Sequence, residues 1–110
     1  MVRKSQRDKQ RKNDPNHIFE RHCLDQRRGI YLIRKIKLDV KGHVASYTLA
    51  YIDPTICTKD HGRVLGYDNN HGHHHRHYMG TMEPVRFISF TALEERFNVE
   101  VRELRDAYYS

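Results

Sequence analysis

Tryptophan is absent from this chain, proline occurs three times and cysteine twice. Cys23 and Cys57 lie far apart and form no CxxC pair. They offer neither a disulfide framework nor a four-cysteine zinc site, so two ordinary thiols in a reduced, cytoplasmic protein are expected. No apolar run approaches the roughly 20 residues that span a bilayer. The basic N-terminus has no apolar segment behind it, so neither a secretory leader nor a membrane partner is expected. Internal repeats are also missing.

Acidic residues are scarce at the start. Residues 1–12 hold Arg3, Lys4, Arg7, Lys9, Arg11 and Lys12 against Asp8 alone. Nearly all of the net charge of +6 therefore sits in a tail, and the remainder is close to neutral. Residues 1–13 contain only Met1 and Val2 as apolar groups, too few to fold alone, and a flexible basic tail is expected there. Such a tail favours nucleic acid through salt-sensitive attraction, or it is a solvated leader. With 37% hydrophobic residues among 110, residues 14–110 can bury one modest core, hence a single domain.

Within that domain, Asp14-Pro15 reads as a helix start. Ile18, Phe19, Cys23 and Leu24 follow at rough helical spacing, which predicts a short helix from about Pro15 to Arg27, ended by Gly29. Ile30 to Val40 alternates, with Ile30, Leu32, Ile36, Leu38 and Val40 on one face and Arg34 as the exception, so it predicts a half-buried strand. Lys41-Gly42 marks a turn, and Val44 to Ile52 is a second strand stopped by Pro54. Arg63 to Asp68 and His73 to Met79 read as two further strands. Val85 to Ile88 reads as a final edge strand with Pro84 at its start.

The last element is a helix. Phe90, Leu93, Phe97, Val101, Leu104 and Tyr108 make one stripe at three- and four-residue spacing. Thr91 to Glu94 fits a capping box, with Ser89 as the alternative cap. The expected fold is α+β: an antiparallel meander of four to five strands packed by a C-terminal helix, with a short N-terminal helix.

The chemistry concentrates in Gly66 to Gly80. Five of the nine histidines fall between residues 71 and 77, interrupted by Gly72 and Arg76. The run is internal and broken, unlike an expression tag. If it is extended, His71, His73, His75 and His77 project to one side and His74 and Arg76 to the other. Three readings stand side by side. In the first, the site performs metal-free acid–base chemistry on RNA. Neutral and protonated imidazoles coexist near neutral pH, and RNA carries its own 2′-hydroxyl nucleophile. His71, His75 or His77 would move protons, Arg76 or Arg63 would face the phosphorane charge, and Tyr67 and Tyr78 would stack on bases. In the second, His71, His75 and His77, with Asp68 as a further candidate, hold zinc or nickel. In the third, the turn is a solvated surface.

The segment Gly66-Tyr67-Asp68-Asn69-Asn70-His71-Gly72-His73-His74-His75-Arg76-His77 resembles the signature of the TumE-like toxins, small proteins of bacterial toxin–antitoxin modules. Their pattern runs Tyr-Asp-Asn-Ala-His-Gly, two variable residues, then His-Arg-His. Asn70 stands here in place of the alanine, and His73-His74 fill the variable pair. The resemblance extends over about residues 30–105, through Glu83-Pro84 and the C-terminal helix. It implies a toxin neutralised by a helix-turn-helix antitoxin, for which an RNase-like action is the usual expectation. The reading adopted is therefore the metal-free one on RNA, with no cofactor, and zinc or nickel as the alternative. Asp68, His71, His75, Arg76 and His77 carry over as the site. The oligomeric state is left open, a homo-oligomer included.

Overall fold

The computed structural model describes residues 14–110, so the expected tail and its six basic residues lie outside the described residues. Six strands follow one another along the chain and across one sheet: β1 (His17–Asp25), β2 (Ile30–Leu38), β3 (Val44–Ile52), β4 (Arg63–Asp68), β5 (His75–Tyr78) and β6 (Thr81–Pro84). Each pairs antiparallel with the next. One helix, α1 (Phe90–Tyr109), covers one face. The α+β meander with its C-terminal helix is as expected, but the sheet has six strands and the described N-terminal segment contributes a strand.

The helix expected from Pro15 to Arg27 is therefore replaced by β1. Asp14 does accept from a backbone amide, that of Asn16 at 2.9 Å, but as a turn before a strand. Pairing decides the outcome. β2 is strongly alternating and would otherwise present a bare row of amides and carbonyls. Residues 17–25 satisfy that row from His17↔Lys37 to Asp25↔Ile30. Ile18 and Phe19 suit a strand at least as well as a helix. Gly29, at φ +67°, closes the hairpin and caps no helix.

The expected final strand at Val85–Ile88 is displaced to Thr81–Pro84. Met79 and Gly80 both take positive φ, 49° and 85°, which makes a two-residue type I′ hairpin and fixes pairing from Thr81 onward. Pro84 thus ends an edge strand, where its missing amide costs little. Val40 is not part of β2 and is 98% exposed.

Helix α1 is capped by Ser89, whose Oγ accepts from the Ala92 amide at 3.1 Å; Thr91 lies inside the helix. Leu93, Phe97 and Val101 are buried against Ile30, Leu49, Tyr51, Leu65 and Tyr67. Tyr108, expected in the stripe, is 55% exposed. At the C-terminal end of α1 the fully buried Asp53 carboxylate receives the hydroxyls of Tyr51, Thr55 and Tyr109. Burial pushes the pKa of Asp53 up, but these bonds outweigh it and hold the group below the usual carboxylate range. Arg34, the polar exception on the core face of β2, bridges Glu94 of α1 and Glu20 of β1.

The other face of the sheet has no helix. Its strand residues run in rungs, one of them Phe19↔Lys35↔Thr48↔Asp68↔His75↔Pro84. Among the described residues, no helix is long and apolar enough to cross a membrane.

Phe97→Ala removes the central knob of the helix–sheet core. It should lower the free energy of unfolding by about 3–5 kcal/mol in urea denaturation, whereas Val40→Ala should stay within about 0.5 kcal/mol.

Candidate functional site on the open face of the sheet

Asp68 ends β4 with its side chain on the open face, yet it is only 5% exposed. Its Oδ2 lies 2.7 Å from His77 Nε2, and its Oδ1 accepts from the Asn70 amide. The other ring nitrogen of His77, Nδ1, is 3.0 Å from Arg63 Nη2. A guanidinium can only donate, so Nδ1 carries a lone pair and the proton sits on Nε2, directed at Asp68. Arg63 in turn donates through Nε to Asp60 at 2.7 Å, and its Nη1 lies 3.8 Å from Asp68. Asp60, Arg63, His77 and Asp68 thus form one connected polar chain.

Two local features create it. Strand parity alone would put Arg63 on the same face as Leu65 and Tyr67, beneath α1. Tyr51 pairs with Leu65 but Ile52 pairs with Arg63, which leaves Val64 as an extra residue in β4. That bulge turns Arg63 to the face of Asp68. Gly66, directly opposite His77, then leaves the room that Arg63 crosses. A Cβ at Gly66 would meet Arg63 Cδ at 2.8 Å and the Leu49 carbonyl oxygen at 3.2 Å.

His75 is half-buried beside His77, with ring centroids 6.5 Å apart. His73 follows at 6.1 Å from His75. The three rings make a ladder along the open face. Among the described residues, the His75 ring has no hydrogen-bond partner.

Other expected site residues lie elsewhere. His71 sits exposed in the turn Asn70–Gly72 with φ +66°. Arg76 points under α1, where Glu100 accepts from Nη2 at 2.5 Å and Tyr67 from Nε at 3.1 Å. Burial opposes its charge, but Glu100 outweighs that and raises its pKa. A guanidinium so held is a clamp between sheet and helix. Tyr67 is fully buried, with its hydroxyl on Glu100, and burial followed by Glu100 pushes its pKa to about 12. It offers no ring to a base. Tyr78 is half-buried on the same side, with the Arg76 guanidinium 4.8 Å from its ring centre. The arginine that joins the histidines is Arg63.

His74, on the helix side, stacks on Phe87 at 4.0 Å and meets the Tyr47 hydroxyl through Nδ1 at 2.7 Å. Burial, then the Asp68 charge, raises the Tyr47 pKa to about 12, so Tyr47 keeps its proton and donates. Burial, then repulsion from His75, lowers the His74 pKa. As for zinc or nickel, no group of three His, Cys, Asp or Glu side chains comes together among the described residues in a way that would hold a metal ion. His71 is not part of the ladder.

Sequence reasoning missed Gly66, Asp60 and the ordering of Arg63. The bulge leaves no mark in the residue types. No protein-family model, no curated protein and no solved structure matches the chain.

Gly66→Ala should displace Arg63 from His77 and cost about 1–3 kcal/mol of stability. The His77 ring resonances in NMR spectra should shift with it. His74 has a lowered pKa in the folded state, so the unfolded chain binds its proton more readily. Stability from this group is complete above its ordinary value, about 6.5, and is lost as pH falls below it. Unfolding measured between pH 7 and 5 should show that fall, and His74→Phe should flatten it.

Proposed function

We propose that the chain is a metal-independent endoribonuclease acting through the open-face cluster, and the toxin of a toxin–antitoxin pair. The observation that carries the chemistry is the arrangement of one buried carboxylate, two neighbouring imidazoles and one guanidinium on a face that α1 leaves bare. Two hydrogen bonds of about 3 Å each would let one phosphodiester meet both His75 and His77.

The reaction runs as follows. An RNA phosphate draws Arg63 off His77, which frees the Nδ1 lone pair. His77, oriented by Asp68, takes the proton of the 2′-hydroxyl as that oxygen bonds to phosphorus. Arg63 faces the charge that builds on the phosphorane. The P–O5′ bond breaks, and protonated His75 gives its proton to the leaving oxygen. The products are a 2′,3′-cyclic phosphate and a 5′-hydroxyl, and solvent exchanges the two histidine protons back. The toxin setting, its helix-turn-helix antitoxin partner and a cytoplasmic place of action rest on the resemblance of residues 66–77.

A second reading follows from the saturation of His77. Both of its ring nitrogens are already bonded. In that reading Arg63 never leaves, and the face binds RNA or the antitoxin without cutting.

Expression of the chain alone should arrest bacterial growth. Purified untagged protein should cleave RNA in excess EDTA and leave cyclic-phosphate ends, and His75→Ala should slow cleavage by about 10²- to 10⁴-fold. Binding without cyclic-phosphate product would select the second reading, and loss of cleavage on chelation would overturn the metal-free mechanism.

A further inference from the structure

The rung that carries His75 begins, four strands away, at an exposed aromatic. Phe19 is 54% exposed, and neighbouring Lys35 and Lys37 are exposed as well. These side chains, with His17, Thr48 and Asn70, line a groove of about 620 Å³ on β1 to β3. Ile36 and Tyr47 of the core also line it, but Phe19, Lys35 and Lys37 are exposed and not needed for the core. Among the described strand residues whose side chains share this face, Asp68 is the one carboxylate, and His77 and Arg63 already hold it. The groove is therefore cationic, open, and floored by the sheet. It runs directly into the histidine ladder through Thr48 and Asp68.

We infer that this groove is the track for a single-stranded RNA, which lies across the strands from Phe19 to His75. Phe19 stacks on a base, and Lys35 and Lys37 take backbone phosphates. The chemistry matches that of single-strand binders, in which aromatic platforms carry bases and a basic groove follows the backbone. From Lys35 to His75 is three strand spacings, about 14 Å at roughly 4.8 Å each. A base on Phe19 therefore lies a few nucleotides from the scissile phosphate. A duplex presents phosphates but hides its base faces in the stack, so it cannot use Phe19. The inference rests on RNA being the substrate, though not on its being cut.

The test uses the full chain carrying His75→Ala, to slow cleavage, and a fluorescein-labelled RNA about twelve nucleotides long, within the usual span of a single-strand site. Adding Phe19→Ala should weaken binding on the order of tenfold, the loss of one stacked base. Adding Lys35→Ala and Lys37→Ala should reduce the slope of log affinity against log salt by about 1.4, roughly 0.7 for each phosphate contact. Lys41→Ala, in the β2–β3 turn, should leave both quantities unchanged. A blunt-ended RNA duplex of similar length should be insensitive to Phe19→Ala. Circular dichroism confirms that each variant is folded. Single-strand affinity unchanged by all three groove substitutions would overturn the inference, as would equal losses for the duplex. Groove-dependent binding by a wild-type protein that cuts nothing would uphold the track and reject the ribonuclease. Cleavage with an unchanged KM in the groove variants would do the reverse.

Discussion

Opposite Tyr51 and Ile52 the partner strand carries one residue too many, and that extra residue, Val64, turns Arg63 onto the face of Gly66 and Asp68. Without the bulge, strand parity would point Arg63 to the helix side with Leu65 and Tyr67, away from Asp68 and His77. Asp68 would then keep His77 and the Asn70 amide, and the Nδ1 of His77 would lose its donor. The bulge is held in place from the other side: the Val64 carbonyl accepts from the Met79 amide at 2.9 Å, at the start of the β5–β6 hairpin turn. The turn that sets the register of β6 and the bulge that aims Arg63 are thus one hydrogen-bonded unit.

The two faces of the sheet divide the charged residues by purpose. On the helix side, Arg34 with Glu94, Arg76 with Glu100, and Arg105 near Tyr51 and Asp53 fasten α1 at three points along its length. Each pair has hydrogen bonds to spend on partly buried partners, which is the condition under which such pairs hold. They fix how the helix sits and are unavailable for ligand chemistry. The open side keeps its charges within the sheet or exposes them. That division explains how adjacent residues of one motif, Arg76 and His77, end in unrelated environments: alternation places them on opposite faces, and α1 covers only one.

Much of this was legible in the residues, because it depends on period. The alternation of Ile30–Leu38 and Val44–Ile52, the limits of Arg63–Asp68 and the stripe of Leu93, Phe97 and Val101 all come through in the fold. So does the same-face relation of His75 and His77, and the separation of both from Arg76. What failed depends on partners. Residues 17–25 carry a weak helical spacing, and only the free edge of β2 makes them a strand. Thr81–Pro84 is a strand because Met79 takes φ 49°, a conformation that its residue type does not announce. The bulge at Val64 inverts the face of Arg63, and no spacing rule anticipates a one-residue insertion. His73, set aside by the resemblance as a variable position, lies in the ladder because the backbone is already extended there.

The bonding of His77 bears on the proposed reaction. Its Nδ1 lone pair is occupied by Arg63, so the ring can neither accept a proton nor bind a cation there while that bond lasts. The bond joins a charged donor to a neutral acceptor. A phosphate offers the same donor a charged, bidentate acceptor, and such bonds are roughly twice as strong. Arg63 can make the exchange without leaving Asp60, since its Nε bond to that carboxylate is separate from the Nη2 bond to His77. A polyanion arriving on the open face would therefore bind the cation and release the base in one movement. The Asp68 bond to Nε2 would meanwhile keep the ring in orientation. An uncharged or cationic ligand could not do this, so in the proposed reaction the contact that occupies His77 would make its release selective for an anion.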